Sequence, residues 1–127
     1  MLVPAPVQQE IVQQAPLMAY APVQLAPGWK YSTWASTGNA VVIVFRNRAG
    51  KEIDFLVQRY TGDCSFGKQK SFQTAGVLTY WSHTAAQQHA WRCVNGFKLT
   101  AETSLAPNRF ADVGLVRLTA SAYRLRR

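Results

Sequence analysis

The sequence predicts an all-β fold, a small antiparallel β-sandwich or barrel of about seven or eight short strands preceded by a disordered Pro/Gln-rich tail. Three observations lead to this prediction. Residues 41–45 read VVIVF, and a run of β-branched and aromatic residues is typical of a strand covered on both faces. Asn95-Gly96 is the strongest short hairpin signal. Residues 97–103, FKLTAET, alternate apolar and polar side chains as a half-buried strand does.

The first 27 residues hold five of the six prolines and predict an extended tail or linker, residues 1–27, ahead of an all-β domain, residues 28–127. One alternative is a short helix, because Val7, Ile11 and Val12 have helical spacing before Pro16. Such a helix has about two turns and is too short to be stable alone in water. We therefore expect a spacer, or a segment that docks on a partner by adding to an edge strand.

The folded part opens with a strand in which one set of side chains alternates with another, namely Trp29, Tyr31 and Thr33 with Lys30, Ser32 and Trp34. Residues 39–60 then form a hairpin whose turn, residues 46–51, contains an Asn and a Gly. Residues 61–70 carry the first cysteine and are interpreted as a surface loop. The later strands are predicted at residues 71–75, 77–82 with a bulge or bend at Gly76, 90–94, 97–103 and about 113–123.

The charge is strongly positive and unevenly placed. All 14 Lys and Arg residues lie from Lys30 onward, and the formal net charge is +8. A basic surface favours acidic partners, namely nucleic acid, an anionic lipid or glycan, or an acidic protein. The alternative is a soluble domain whose Arg content reflects codon usage.

The candidate ligand-binding residues are cations near the predicted turns and one aromatic that could stack on a sugar ring or base. The three aromatics near residue 30 have an alternative interpretation as core residues, with Trp34 half-buried at an edge. The predicted basic, aromatic face consists of Lys30, Trp34, Arg46, Arg48, Lys51, Lys68 and Lys70.

Cys64 and Cys93 are the two cysteines, and we expect them to form a disulfide. Its loop would contribute roughly 3 to 4 kcal/mol by the chain-entropy model. His83 and His89 have no CxxC partner, and their combination with Cys93 and Asp63 lacks the spacing of a metal site, so we predict no metal and no cofactor.

No motif for catalysis is present, since GxSxG, HExxH and the Walker phosphate loop are all missing from the sequence. Glu52 and Asp54 are two apart on one strand and point to the same face. Paired carboxylates could serve acid/base chemistry, but we expect them to pair with Arg46, Arg48 or Lys51 across the turn. The sequence therefore predicts a protein that is not an enzyme.

The chain has no apolar segment of the roughly 20 residues that a membrane helix needs. Its start lacks the basic region and compact apolar core of a secretory signal, yet it resembles the start of a mature exported chain after signal cleavage. We expect a periplasmic or secreted binding module of the cell envelope that recognises an acidic polymer or protein. The alternatives are a cytosolic OB-like nucleic-acid-binding domain and a disulfide-anchored inhibitor or immunity protein acting through the loop at residues 61–70.

Overall fold

A computed structural model describes residues 2–65, 67 and 69–126. The strands in these ranges are β1 (Tyr20–Ala21), β2 (Lys30–Ser36), β3 (Ala40–Arg46), β4 (Glu52–Arg59), β5 (Lys70–Thr74), β6 (Val77–His83), β7 (Gln88–Val94), β8 (Phe97–Thr103) and β9 (Tyr123–Arg124). The helices are α1 (Ala5–Gln14), α2 (Phe110–Val113) and α3 (Leu115–Ala120), with 3₁₀ turns at Pro16–Met18 and Pro107–Arg109.

The strands form two antiparallel sheets. Strands β2 to β8 make one sheet in the order β2-β3-β4-β8-β7-β6-β5, and β1 pairs with β9 in a second, two-stranded sheet. The prediction of a mostly β protein built from short antiparallel strands is confirmed. Within the large sheet, β2 and β5 are the two edges.

The central hairpin of β3 and β4 places one side of the sheet in the core. Val41, Ile43 and Phe45 are fully buried, and in register they face Val57, Phe55 and Ile53 of β4. Val42 and Val44 point to the other side and are only half-buried. The run at residues 41–45 is thus fully buried on one face and only half-buried on the other, whereas the sequence predicts cover on both faces.

The C-terminal segment covers the core side of the sheet as helix rather than strand. Helix α3 contacts β5, β6, β7 and β8. Leu115 and Leu118 are completely buried, and Leu115, Leu118 and Ala122 recur at three- and four-residue intervals. Gly114, with φ of 65°, separates α2 from α3. The predicted strand at about 113–123 was wrong because this helical spacing fits the core better than alternation does.

The N-terminal segment is part of the same core, so the predicted disorder of residues 1–27 was wrong. Pro4 caps helix α1 and Pro6 lies in its first turn, where a missing N–H is tolerated. Ile11 and Val12 are buried in the cluster that also holds the strand residues. A segment buried in this way is not a spacer. The division of the chain at residue 27 stays a prediction, although side chains from both sides share one core.

Two tight hairpins join β5 to β6 and β7 to β8. Asn95 and Gly96 have φ of 52° and 81° and join β7 to β8, as predicted. Ala75 and Gly76, at 51° and 80°, join β5 to β6, where the sequence predicts a bulge or bend. Positive φ at both central residues matches the twist of paired strands. The structure places its register shift instead in β2, between Tyr31 and Thr33.

Candidate binding surface

The side of the large sheet opposite α3 is the candidate binding surface, which we call the open face. Its side chains alternate with the buried ones along each strand and are mostly half-buried, as for Val42 and Leu56. Strand register fixes which of them are neighbours across the sheet. Two groups of charged residues lie in successive rows of this face.

The first group lies where β2, β3 and β4 approach the β3–β4 turn. Lys30 is the register partner of Arg46, and Arg46 is the register partner of Glu52. The Arg46 guanidinium donates to Glu52 Oε1 from Nη2 at 3.0 Å and from Nε at 3.3 Å. The predicted pairing of the two carboxylates across the hairpin is confirmed for Glu52, whereas Asp54 forms no ion pair with a described cation.

The turn itself projects two further cations. Asn47 Oδ1 accepts a hydrogen bond from the Lys51 backbone N–H at 2.9 Å, and the Asn47 N–H donates to the Lys51 carbonyl at 3.1 Å. Gly50 completes the turn with φ of 76°. Because the backbone is held in this way, Arg48 and Lys51 stand at the sheet corner. We call Lys30, Arg46, Arg48 and Lys51 the cationic corner.

The cationic corner carries an excess of positive charge. Its four cations face Glu52 and, beside Glu52, the partly protonated Asp54, which leaves a local net charge between about +2 and +3 at neutral pH. Among the described residues no ion pair holds Lys30, Arg48 or Lys51. These three side chains are available to anionic groups of a partner.

The second group is a row of titratable side chains beside the corner. Asp54 is the register partner of Glu102, and Glu102 is the register partner of His89. Burial, then the hydrogen bond and charge of Glu52 and the charge of Glu102, raise the pKa of Asp54 to about 7. Arg46 opposes this rise. Asp54 Oδ1 is buried without a hydrogen-bond partner in the described part of the chain.

The pKa values of Glu52 and His89, which lie near Asp54, are shifted as well. Hydrogen bonds from Asp54 and Arg46 lower the pKa of Glu52. Burial lowers the pKa of His89, against the opposing charge of Glu102. Near neutral pH, Asp54 is therefore partly protonated while Glu52 is ionised, so the negative charge beside the cationic corner depends on pH.

A disulfide fixes the loop at the far end of the open face. Cys64 and Cys93 are bonded, with 5.9 Å between their Cα atoms, which confirms the predicted bridge. Trp91 Nε1 donates to the Cys64 carbonyl at 2.7 Å, and the Tyr60 hydroxyl donates to the Asp63 carbonyl at 2.7 Å. The start of the loop is thus anchored at several points.

The predicted basic, aromatic face is only partly brought together. Trp34 is the register partner of buried Ile43 and packs against the core, on the side away from Lys30. Lys70 lies on edge strand β5, about 25–30 Å across the sheet from the β2 edge at roughly 4.8 Å per strand. Lys68 falls outside the described residues. The binding role of the predicted set stays a prediction.

Glu102 and His89 lie beside Asp54 on the open face, which the sequence did not predict. The alternation in residues 97–103 placed Glu102 on a polar face, but only strand order makes β8 the neighbour of β4. No group of three His, Cys, Asp or Glu side chains in the described ranges is arranged to hold a metal ion. Across those ranges, no helix combines the length and apolar character needed to span a membrane.

Comparison with known proteins adds a likeness of overall shape. No protein-family model matches the chain, and no curated protein matches it. Among solved structures, the chain is similar to the solution structure of cyanobacterial PsbP (CyanoP) from Synechocystis sp. PCC 6803. The TM-score is 0.46 and the identity 14%, over 77% of this chain and 82% of that one. A likeness of this degree does not indicate a shared function.

Proposed function

We propose that this protein is a non-catalytic binding module that acts outside the cytoplasm, in the periplasm or after secretion, and recognises an acidic envelope polymer or an acidic protein. The cationic corner is the observation that carries the proposal. Lys30, Arg48 and Lys51 are held by paired strands and a hydrogen-bonded turn, and no carboxylate in the described part of the chain pairs with them. Because the backbone that carries these side chains is already ordered, binding of a partner costs little backbone entropy there.

The Cys64–Cys93 bridge supports a location outside the cytoplasm, because disulfides persist in oxidising compartments. It disfavours the alternative of a cytosolic nucleic-acid-binding domain. The anchored loop start at residues 60–65 favours a second candidate, an inhibitor or immunity protein that inserts this loop into an enzyme. Alanine substitution of Asp63 would weaken binding to such an enzyme, whereas it would leave binding at the cationic corner unchanged.

The test of the main proposal is binding to fluorescein-labelled polyglutamate, measured by anisotropy over a range of salt concentrations. In the double variant Arg48→Gln/Lys51→Gln we expect affinity to fall about tenfold and the dependence of log affinity on log salt to become shallower. The matched control is Arg59→Gln/Arg126→Gln, which removes the same charge at two exposed residues outside the cationic corner. Equal losses in both double variants would mean that net charge alone drives binding, and the proposal would be wrong.

A further inference from the structure

A second site lies on the core side of the large sheet, beside edge strand β5. Its cavity has a volume of about 380 Å³, within the range of small-ligand pockets. Leu25, Phe72, Phe110 and Val116 supply apolar walls, and Arg117 is the one charged residue among the described residues that line it. We call this cavity the β5 pocket.

The walls of the β5 pocket are held in place by contacts that need no ligand. The backbone N–H groups of Val23 and Gln24 both donate to Ser121 Oγ, at 3.1 and 3.0 Å, which fastens one rim to the end of α3. The Phe110 ring stacks on Phe72 with 5.7 Å between centroids and meets Trp81 edge-on at 5.0 Å. The pocket is therefore preformed.

The pocket opens next to an unpaired strand edge. Strand β5 is the last strand of the sheet and pairs with β6 alone. Its backbone makes no hydrogen bond to any other described segment. Alternate N–H and C=O groups of β5 consequently point away from the sheet, and an extended peptide pairs with such an edge as an added strand.

Register places one side chain of an added strand at the pocket. Phe72 is the register partner of buried Thr79, so Phe72 and Thr74 point to the core side of the sheet. Because side chains on one side of a strand continue across a sheet, a peptide paired with β5 presents a side chain beside Phe72 or Thr74. The apolar walls there suit an aliphatic or aromatic side chain.

Arg117 defines the charge of the occupant. It is exposed, and no carboxylate of the described chain pairs with it. In an extended peptide, neighbouring side chains point to opposite faces, so an acidic side chain next to the apolar one cannot share the pocket with it. A main-chain carboxylate at the peptide's C-terminus carries its charge on the same residue as the apolar side chain, and therefore fits both features.

We propose that the β5 pocket and the β5 edge together bind the C-terminal segment of a partner protein that ends in an apolar residue. The peptide pairs with β5 as an extra strand, its last side chain enters the pocket, and its terminal carboxylate accepts hydrogen bonds from the Arg117 guanidinium. This site is independent of the cationic corner and of the function proposed above.

The probe is a fluorescein-labelled hexapeptide of alternating Thr and Val that ends in Leu with a free carboxylate, titrated with the disulfide-bonded full chain. Two variants test the site. Arg117→Gln removes the charge, and we expect affinity to fall about tenfold. Ala111→Phe places a ring in the pocket from an exposed position, and we expect binding to be lost. Arg126→Gln, at an exposed residue that does not line the pocket, should bind like the natural chain.

Three controls decide between occupants. The same hexapeptide with a C-terminal amide should bind about tenfold more weakly, and equal binding would overturn the role of Arg117. Hexanoate that binds as tightly as the peptide would overturn the role of the β5 edge. Concentration-dependent dimerisation abolished by Ala111→Phe would assign the site to a second copy of the chain. Lack of peptide binding at millimolar concentration would also refute the proposal, and polyglutamate binding reports separately on the cationic corner.

Discussion

Replacing Asp54 with Asn should make the protein more stable at neutral and alkaline pH and leave its stability near pH 4 unchanged. The fold raises the pKa of Asp54 from 3.8 to about 7. The folded protein therefore binds a proton that the unfolded chain releases between these values. Stability from this group is full below about pH 4 and is lost as the pH rises to about 7. Asn resembles the protonated carboxyl and removes this loss.

The size of the effect depends on the same rise in pKa. At about 1.4 kcal/mol per pKa unit, a fully buried group would account for about 4 kcal/mol. Asp54 is only partly buried and water screens its charge, so we expect about 1–2 kcal/mol. The amide introduced by Asp54→Asn would also donate to Glu52, which preserves the contact between the two side chains.

Urea denaturation followed by tryptophan fluorescence, at about pH 4 and about pH 8, measures the difference. Asp112→Asn is the matched control, since Asp112 is exposed and pairs with Arg109 at 2.8 Å. We expect this control to lose stability slightly at about pH 8. An Asp54→Asn variant that is no more stable than the natural chain at about pH 8 would refute the reasoning.

Two further predictions concern stability. Replacing Cys64 and Cys93 by Ser should lower the free energy of unfolding by about 3–4 kcal/mol, because the bridge closes a long loop. Urea denaturation measures this loss, which would be smaller if the unfolded chain retained structure in the loop. The sequence separation of these cysteines is 29 residues. Ile11→Ala should lower the free energy of unfolding by about 2–5 kcal/mol because Ile11 is buried, whereas Gln14→Ala, at an exposed residue of the same helix, should lower it by under about 0.5 kcal/mol. An equal, small loss in both variants would show that α1 does not pack on the core.

The central hairpin was predictable because its signals are local. Val41 to Phe45 are strong strand formers, and the Asn and Gly after them allow the reversal. Asn95-Gly96 likewise indicates its turn, whereas Ala75-Gly76 adopts the same backbone without such a signal, because Ala rarely takes positive φ. Local chemistry identifies a hairpin only where the turn residues are themselves unusual.

The N- and C-terminal helices were not predictable on local grounds. Helix α1 is too short to be stable alone, and its prolines argue for an extended chain until Ile11 and Val12 find a core. Helix α3 has only six residues and includes Thr119, a residue of modest helix propensity. In both segments, burial against the sheet decides the conformation.

The candidate site was predicted where it depends on one hairpin and missed where it depends on strand order. Arg46, Arg48 and Lys51 belong to the β3–β4 hairpin, so sequence alone placed them together. The proximity of Asp54 to Glu102 requires β4 to pair with β8, a contact between residues far apart in sequence. The separation of Lys70 from Lys30 has the same origin, because β2 and β5 are opposite edges.

The pairing of β1 with β9 has a consequence for how the chain acquires its structure. Tyr20 pairs with Arg124, and the Leu125 N–H donates to the Ala19 carbonyl at 2.7 Å. Residues near position 20 are synthesised long before their partners, and contacts so distant in sequence form slowly. During synthesis, Ala19 and Tyr20 therefore lack these partners until Arg124 and Leu125 emerge. Apolar surface that stays uncovered during this interval is prone to aggregation.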